Sequence, residues 1–473
     1  MKSSGWDRGL KVEATGRGMV GHAGAVLLHR TADRVGLVAG LRGAIASSPW
    51  MLDRANVLVG LVVGIALGAR NLRQGELLAR HHAGLLGEGA SDSTLWRALG
   101  EIDARAGLRI AKARARVRAR VWELLAERGA GFPWLVILGK ELVGWVVLDL
   151  DATIITASSK KQGATGTYKG SYGFHPLAGW CANTLECLAM KLRPGNAGSN
   201  TVADHVEVIG QALAQIPHGY RNKILIRIDG AGASHGLIEH LLSLSTRRRT
   251  IAFTSGFTIT DVDERAIAKL SEDAWGPAFE QDGRIDEIAQ VAELTGVWKR
   301  EGWPTGLRYL VRRVKPSRRH AKKLTDYEKA TGWRYQITVT NIRNLGRAVP
   351  RSHHVFFLDT VHRQHAAVED RVRTEKATGI RNLPFRDYAR NQAWLLAANI
   401  ASDLLAYLQL LGLEPDSQLA RAEPETLRST ILHIPARLVH HARMRILKIE
   451  QSWPWAATVI DAWTRLGRIP APN

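Results

Sequence analysis

A chain of 473 residues is too long for one ordinary core and predicts roughly two to four domains. Apolar residues make up 45%, so most of the chain is packed rather than disordered. Against 44 Asp and Glu stand 65 Lys and Arg, and the formal charge of +21 points to a polyanionic partner. Counterion release from a nucleic-acid backbone is the usual source of affinity for such a surface. An anionic membrane is the rival partner, and a merely basic soluble protein is the bland alternative.

The N-terminus MKSSGWDRGLKVEATGRGM has no apolar signal core, which predicts no secretion. Residues 1–45 carry many Gly and Arg with weak periodicity and predict a partly loose segment. From 51 to 128 the pattern is helical. Leu52, Val59, Val62, Val63 and Leu67 mark a first buried helix. Its run ANVLVGLVVGIALGA is shorter than the roughly 20 apolar residues that cross a bilayer. It reads as a core helix, and no membrane partner is expected. Ser91 or Ser93 then caps a helix with Leu95, Leu99 and Ile102 inward, as the second helix of a helix-turn-helix often begins. In the next helix Arg105, Arg109, Lys112, Arg116 and Arg120 recur at steps of three and four and form one stripe. Ile110, Val117, Val121 and Leu124 fall on a separate, apolar face. A stripe almost all of one sign repels itself unless an anion lies against it. Contact with DNA phosphate is the functional reading, and a solvated face the plain one.

From Gly144 the period changes. WVVLDLDATIIT, SYGFHPLAGWCA and TLECLAMKLR read as strands, the last two joined by a turn around Asn183. Residues 202–216 are helical, KILIRID is a buried strand ending on an acid, 234–244 a helix and TIAFTS a strand. This succession predicts a mixed α/β sheet. Cys181 and Cys187 lack zinc-site spacing and read as packed thiols in a reducing compartment. Residues 257–345 break the rhythm and read as an insertion holding two strand-like runs, LRYLVRRV and RYQITVTN. Between those runs KPSRRHAKK, with Arg318 and Arg319, is a second candidate phosphate contact in a basic segment from Arg312 to Lys323. Trp298 or Trp303 could stack on an unpaired base, although a core role is the simpler reading. Helical pattern returns near Thr360, and the last fifty residues are rich in Arg and His.

Asp149 and Asp151 lie two apart on one strand and point to the same face. Carboxylates amid such apolar neighbours are costly to bury alone. A metal ion or a salt bridge would satisfy them, and strand geometry does not choose between the two acids. Asp229 ends a second strand, where an Asp before Gly is also a common turn residue. His362, His365, Glu369 and Lys376 are spaced three, four and seven apart, within about 60° on a helix. One face thus carries an acid with a cation one heptad later.

Taken in order over roughly residues 50 to 415, these segments resemble the DDE-group-1 transposases of bacterial insertion sequences. DLDATI resembles the first-acid motif, an Asp followed two residues later by Thr, and selects Asp151 over Asp149. GFHPL and LRPGN look like the stretch that follows, and IRIDGAGAS resembles the second-acid motif and selects Asp229. The segment from His362 to Lys376 resembles the signature Tyr-x2-Arg-x3-Glu-x6-Lys. Glu369 and Lys376 match it, while His362 and His365 stand at its Tyr and Arg positions.

The resemblance implies an α/β fold: an RNase H-like mixed sheet flanked by helices, interrupted by a β-rich insertion, after an N-terminal helical DNA-binding region. The expected division is 1–140 for that region, 141–256 and 346–415 for the core, 257–345 for the insertion and 416–473 for a C-terminal region able to dimerise. Asp151, Asp229 and Glu369 would hold two Mg²⁺ ions, or Mn²⁺ in their place, since hard cations prefer oxygen ligands. Asp151 would bridge the pair, with Lys376 and the two histidines handling phosphate. The implied activity is cleavage at element ends and strand transfer into target DNA by a cytoplasmic, nucleoid-associated homodimer on double-stranded DNA. A catalytically inactive, sequence-specific DNA-binding descendant is the alternative, and a nuclease that cuts without joining is another.

Overall fold

The computed structural model describes residues 9–45, 53–158, 160–198, 201–230, 234–257, 259–297, 302–318 and 320–472. Leu52, Trp298 and Arg319 lie outside the described residues. N-terminal helices come first: α1 (Ala25–Arg34), α2 (Leu37–Arg42), α3 (Arg54–Ala66), α4 (Leu72–His81), α5 (Asp92–Gly100) and α6 (Ala104–Ala126), with a one-turn helix, Ala83–Leu86, between α4 and α5. Side-chain caps start several of them. Asp53 accepts from Ala55 N at 3.0 Å, Asn71 from Gln74 N at 2.9 Å and Asp103 from Ala106 N at 2.7 Å. Ser91, of the two serine candidates, caps α5. The apolar helix α3 is buried along most of its length, as a core helix. The looseness expected of residues 1–45 does not extend to 25–42. There Ala25, Leu27, Leu28, Thr31 and Ala32 make a buried stripe on α1, which the surrounding glycines and arginines had masked.

The strands are β1 (Val146–Ala152), β2 (Leu177–Cys181), β3 (Cys187–Lys191), β4 (Lys223–Ile228), β5 (Thr250–Phe257), β6 (Gly276–Phe279), β7 (Ile285–Glu293), β8 (Arg308–Val314) and β9 (Arg334–Thr340). They form one nine-stranded sheet in the order β6-β7-β8-β9-β5-β4-β1-β2-β3. β1, β4 and β5 are parallel, and every other pairing is antiparallel. Residues 257–345 therefore extend the sheet at its β5 side. Cys181 and Cys187 sit on neighbouring strands rather than one, both free and buried, and burial pushes the Cys181 thiol up to about 12.

Strand alternation sorts β1 into two faces. Val146, Leu148 and Leu150 join a core with α7 (Val202–Gln215) and α8 (His235–Ser243). Val147 packs with Leu225, Phe357, Leu358 and Val361, so the opposite face meets α9 (Val355–Arg363). Asp149 and Asp151 share that second face. After α9 come α10 (Val368–Glu375) and the long helix α11 (Tyr388–Gly412). Helix α11 is long and apolar enough to cross a membrane, but most of it is buried in the core.

A buried polar network crosses the centre. Arg114 and Arg118 of α6 bond Asp403 of α11 at 2.7 and 3.0 Å, and Arg118 bonds Glu186 at 2.6 Å. Trp122 Nε1 also donates to Glu186, at 2.8 Å. Glu375 lies beside Asp403, and burial pushes its carboxyl up to about 8, which favours its neutral form. Two guanidinium groups then face two carboxylates, a balance that makes burial tolerable.

The C-terminal segment forms a hairpin, β10 (Ala436–His441) with β11 (Met444–Ile449), and helix α12 (Ala456–Arg468). The short strand Met19–Val20 pairs antiparallel with β10, so the two ends of the chain share a sheet. Histidines crowd this joint. His22 stacks on His81 at 4.8 Å and meets His433 edge-on at 4.5 Å, while His29 faces His82 at 6.4 Å. Burial, followed for His22 and His82 by neighbouring imidazoles, lowers His22, His29 and His82 to about 4. A histidine lowered in the fold stabilises it above its ordinary value of about 6.5 and loses that stability as pH falls towards 4. Thermal unfolding at about pH 5 should therefore show a loss on the order of 1–2 kcal/mol relative to pH 7 for His29, and less for the more solvent-screened His82 and His22. The double variant His29→Gln, His82→Gln should flatten that dependence; an unchanged slope would refute the assignment.

Candidate active site

Asp151 lies near the end of β1 and Asp229 directly follows β4, the strand parallel to it. Both line one cleft of ≈ 620 Å³, together with Thr167, Tyr168, His175, Asn196 and His205. Burial, then the charge of Asp229 and a smaller contribution from Glu369, pushes the Asp151 carboxyl up to about 6. Glu369 stands exposed in the first turn of α10. Asp151 is thus within electrostatic reach of both Asp229 and Glu369. Among the described residues no three His, Cys, Asp or Glu side chains are drawn together tightly enough to hold a metal ion. The donor chemistry nonetheless fits a hard divalent cation. All three donors are carboxylates, and their mutual repulsion is what such an ion would relieve.

Asp149 has a different task. Arg227 grips it with two bonds, Nε to Oδ1 at 2.7 Å and Nη2 to Oδ2 at 2.8 Å. His365 Nδ1 approaches Oδ1 at 3.1 Å, and Arg227 Nη1 donates to Val361 O at 3.1 Å. The Asp149–Arg227 pair therefore ties β1 and β4 to the segment leading into α10. The sequence carried a signal for it: Arg227 precedes Asp229 by two, as Asp149 precedes Asp151. In the parallel register Arg227 and Asp149 stand opposite each other. The salt bridge that strand geometry left open thus belongs to Asp149.

Of the two histidines, His365 is buried against Asp149, and its Nε2 has no hydrogen-bond partner among the described residues. His362 turns towards β5, with Nδ1 3.1 Å from Thr254 Oγ1, and burial lowers it to about 3. Lys376 follows the last residue of α10. It opens a π-helical turn, Lys376–Ile380, that leaves helical geometry at Thr378 and Gly379; Gly379 takes φ +91 and lies so close to Ile65 that a Cβ would come within 2.8 Å of it. Burial, then Lys169 and Arg381, hold the Lys376 ammonium below its ordinary range, and Asp151 opposes them. Lys169 and Arg381 are cations of this site that spacing did not reveal, because neither shares an element with an acid.

The cationic stripe of α6 is only partly available. Arg105, Lys112 and Arg116 are exposed. Arg109 donates to Ala44 O at 2.7 Å and Arg120 to Arg34 O at 2.9 Å, so both also pin the N-terminal segment. The stripe pattern could not reveal that Arg114 and Arg118, on the same helix, are buried. In the second basic segment Arg318 is exposed, but Arg312 is buried between Asp286 and Asp359. Arg313 pairs with Glu272 and lies 4.2 Å from the Trp275 ring. These two are structural ion pairs rather than free phosphate contacts. Trp303 packs near Phe257 and His235, with ring centres at 6.0 and 6.3 Å.

The fold is a mixed α/β sheet with acids at the ends of two adjacent parallel strands and a third on a following helix, a framework on which divalent ions could be held. The chain belongs to the transposase DDE domain group 1 family, whose description matches residues 2–471, and it is a transposase. No curated protein matches it in sequence. Among solved structures, the piggyBac transposase synaptic complex with hairpin DNA is similar at 10% identity and a TM-score of 0.43. That similarity covers 86% of this chain and 80% of the other.

Proposed function

We propose that this transposase cuts DNA at the ends of its element and transfers the freed 3′-hydroxyl to target DNA at one site, built on Asp151, Asp229 and Glu369. The observation that carries this reading is the joint presence of Asp151 and Asp229 in one cleft, with Glu369 near enough to Asp151 to help raise its carboxyl. An RNase H-like core is supported by the run β3-β2-β1-β4-β5, three parallel strands beside an antiparallel pair. Two Mg²⁺ ions, or Mn²⁺ in their place, held by the three acids would activate the nucleophile and neutralise the charge of an in-line displacement. Lys376, with Lys169 and Arg381 beside it, binds the phosphate next to the cut. Asp149 and Arg227 hold His365, and with it the approach to α10, against the sheet. A homodimer on double-stranded DNA and a cytoplasmic, nucleoid-bound location go with this reading.

The test is a cleavage and strand-transfer assay on duplexes carrying the DNA that flanks the gene, with Mg²⁺ or Mn²⁺. Cutting followed by joining is expected. Cutting without joining would make the protein a nuclease, and binding without cutting would make it an inactive, sequence-specific DNA-binding descendant. On the binding side, Arg105, Lys112 and Arg116 contact phosphate, with Arg318 as a further exposed contact. Replacing Arg105 and Arg116 by alanine should lower the slope of log affinity against log salt by roughly 1.8, about 0.9 for each phosphate lost. An unchanged slope would mean that α6 shows only a solvated face.

A further inference from the structure

Between β1 and β2 the chain makes a small hairpin, Thr165–Gly166 against Tyr172–Phe174. Its turn is closed by Thr167 N to Ser171 O at 2.7 Å and by Thr167 Oγ1 to Ser171 Oγ at 2.7 Å, with Gly170 at φ +75. The hairpin is seated on the loop containing Pro194, Gly195 and Asn196. Asn196 N donates to Thr165 Oγ1 at 2.9 Å. A Cβ on Gly195 would come within 2.4 Å of Thr165 O, so only glycine permits this approach. That gives the LRPGN run a physical purpose: it fixes the hairpin at the rim of the cleft.

At the hairpin tip stands Tyr168. It is 72% exposed, although it lines the same cleft as Asp151 and Asp229. The His175 ring lies 5.6 Å from it, and Lys169 Nζ lies 5.6 Å from its centre. An aromatic face held out of the core beside an active-site cleft has an unsatisfied use. Lys169, on the same tip, is coupled to Lys376, which is coupled to Asp151. One cationic path thus runs from the aromatic ring to the acids.

We propose that the tip of this hairpin is a binding site for an unpaired nucleotide next to the cut, with Tyr168 stacking on its base and Lys169 contacting its phosphate. The proposal rests on the transposase reading and gives that site a single-stranded subsite. Stacking of this kind tolerates any base, because each presents a π-face. Trp303, one of the two tryptophans considered for this role from the sequence, is packed against Phe257 and His235.

The probe is a duplex with a short single-stranded tail carrying 2-aminopurine, compared with the same duplex blunt-ended, both without divalent ion. Wild type and Tyr168→Phe should quench the 2-aminopurine fluorescence. Tyr168→Ala should lose the quenching and bind the tailed duplex roughly 10-fold more weakly, while blunt-duplex binding stays unchanged. Equal quenching and affinity with Tyr168→Ala would overturn the stacking proposal and leave the transposase reading intact. Wild type that binds the blunt duplex but never quenches the tail would do the same. Failure of wild type to bind either duplex would overturn both.

Discussion

Alanine in place of Asp151 should abolish Mg²⁺-dependent cutting and leave binding of uncut duplex largely intact. The expected loss is on the order of 10³-fold or more, about 4 kcal/mol of barrier, because the acid shared by the proposed ions cannot be replaced by water with the same charge. Single-turnover cleavage of flanking DNA measures it. Asp149→Asn is the control. That carboxylate is consumed by Arg227 and His365, so the variant should lose stability before it loses chemistry. Normal cutting by the Asp151 variant would sink the assignment of the site. Equal loss of cutting in both variants, with both still folded, would mean that Asp149 also reaches the reacting phosphate.

The largest effect on stability is expected at Arg118. Its guanidinium is fully enclosed and bonds Glu186, Asp403 and Gln215. Removing it leaves the buried carboxylates of Glu186 and Asp403 with Arg114 as the remaining guanidinium of the network. Breaking a buried pair in this way costs about 3–5 kcal/mol. Arg118→Ala and Glu186→Ala should each lower the free energy of unfolding by that amount in chemical denaturation. Arg116→Ala, two residues away and exposed, should change it little. A small effect at Arg118 would mean that water enters the network.

Much of the sheet could be read from the chain. The Val, Ile and Leu runs of β1, β4 and β5 are bounded by polar turns, and each was visible as a strand. The strand at Arg334–Thr340 was visible too, but not its place beside β5, because pairing across a long connection leaves no local periodicity. The acids of the cleft were legible for a different reason. A carboxylate inside or at the end of an apolar strand needs a partner, and Asp149, Asp151 and Asp229 all stood out by that test. Which acid takes a salt bridge depends on the register of β1 against β4, and only the fold supplies it. On α6 the periodic stripe of cations was real. The buried Arg114 and Arg118 stayed hidden because their partners come from residues 186 and 403, far away in sequence. Lys169 and Tyr168 were equally silent: a short hairpin has neither helical nor strand periodicity to mark its tip.

The pairing of Met19–Val20 with β10 sets an order of events during synthesis. The partner strand is made after every strand of the central sheet, so this small sheet cannot close until β10 has emerged from the ribosome. Until then the side of α1 that carries Val26 and Arg30 lacks the cover that α12 and the hairpin help to provide. Long-range closure of this kind is entropically costly and slow. The central sheet, whose strands are all translated earlier, can form first. The joint between Met19–Val20 and β10 then acts as a late latch, closing over the N-terminal helices only after the central sheet has been made.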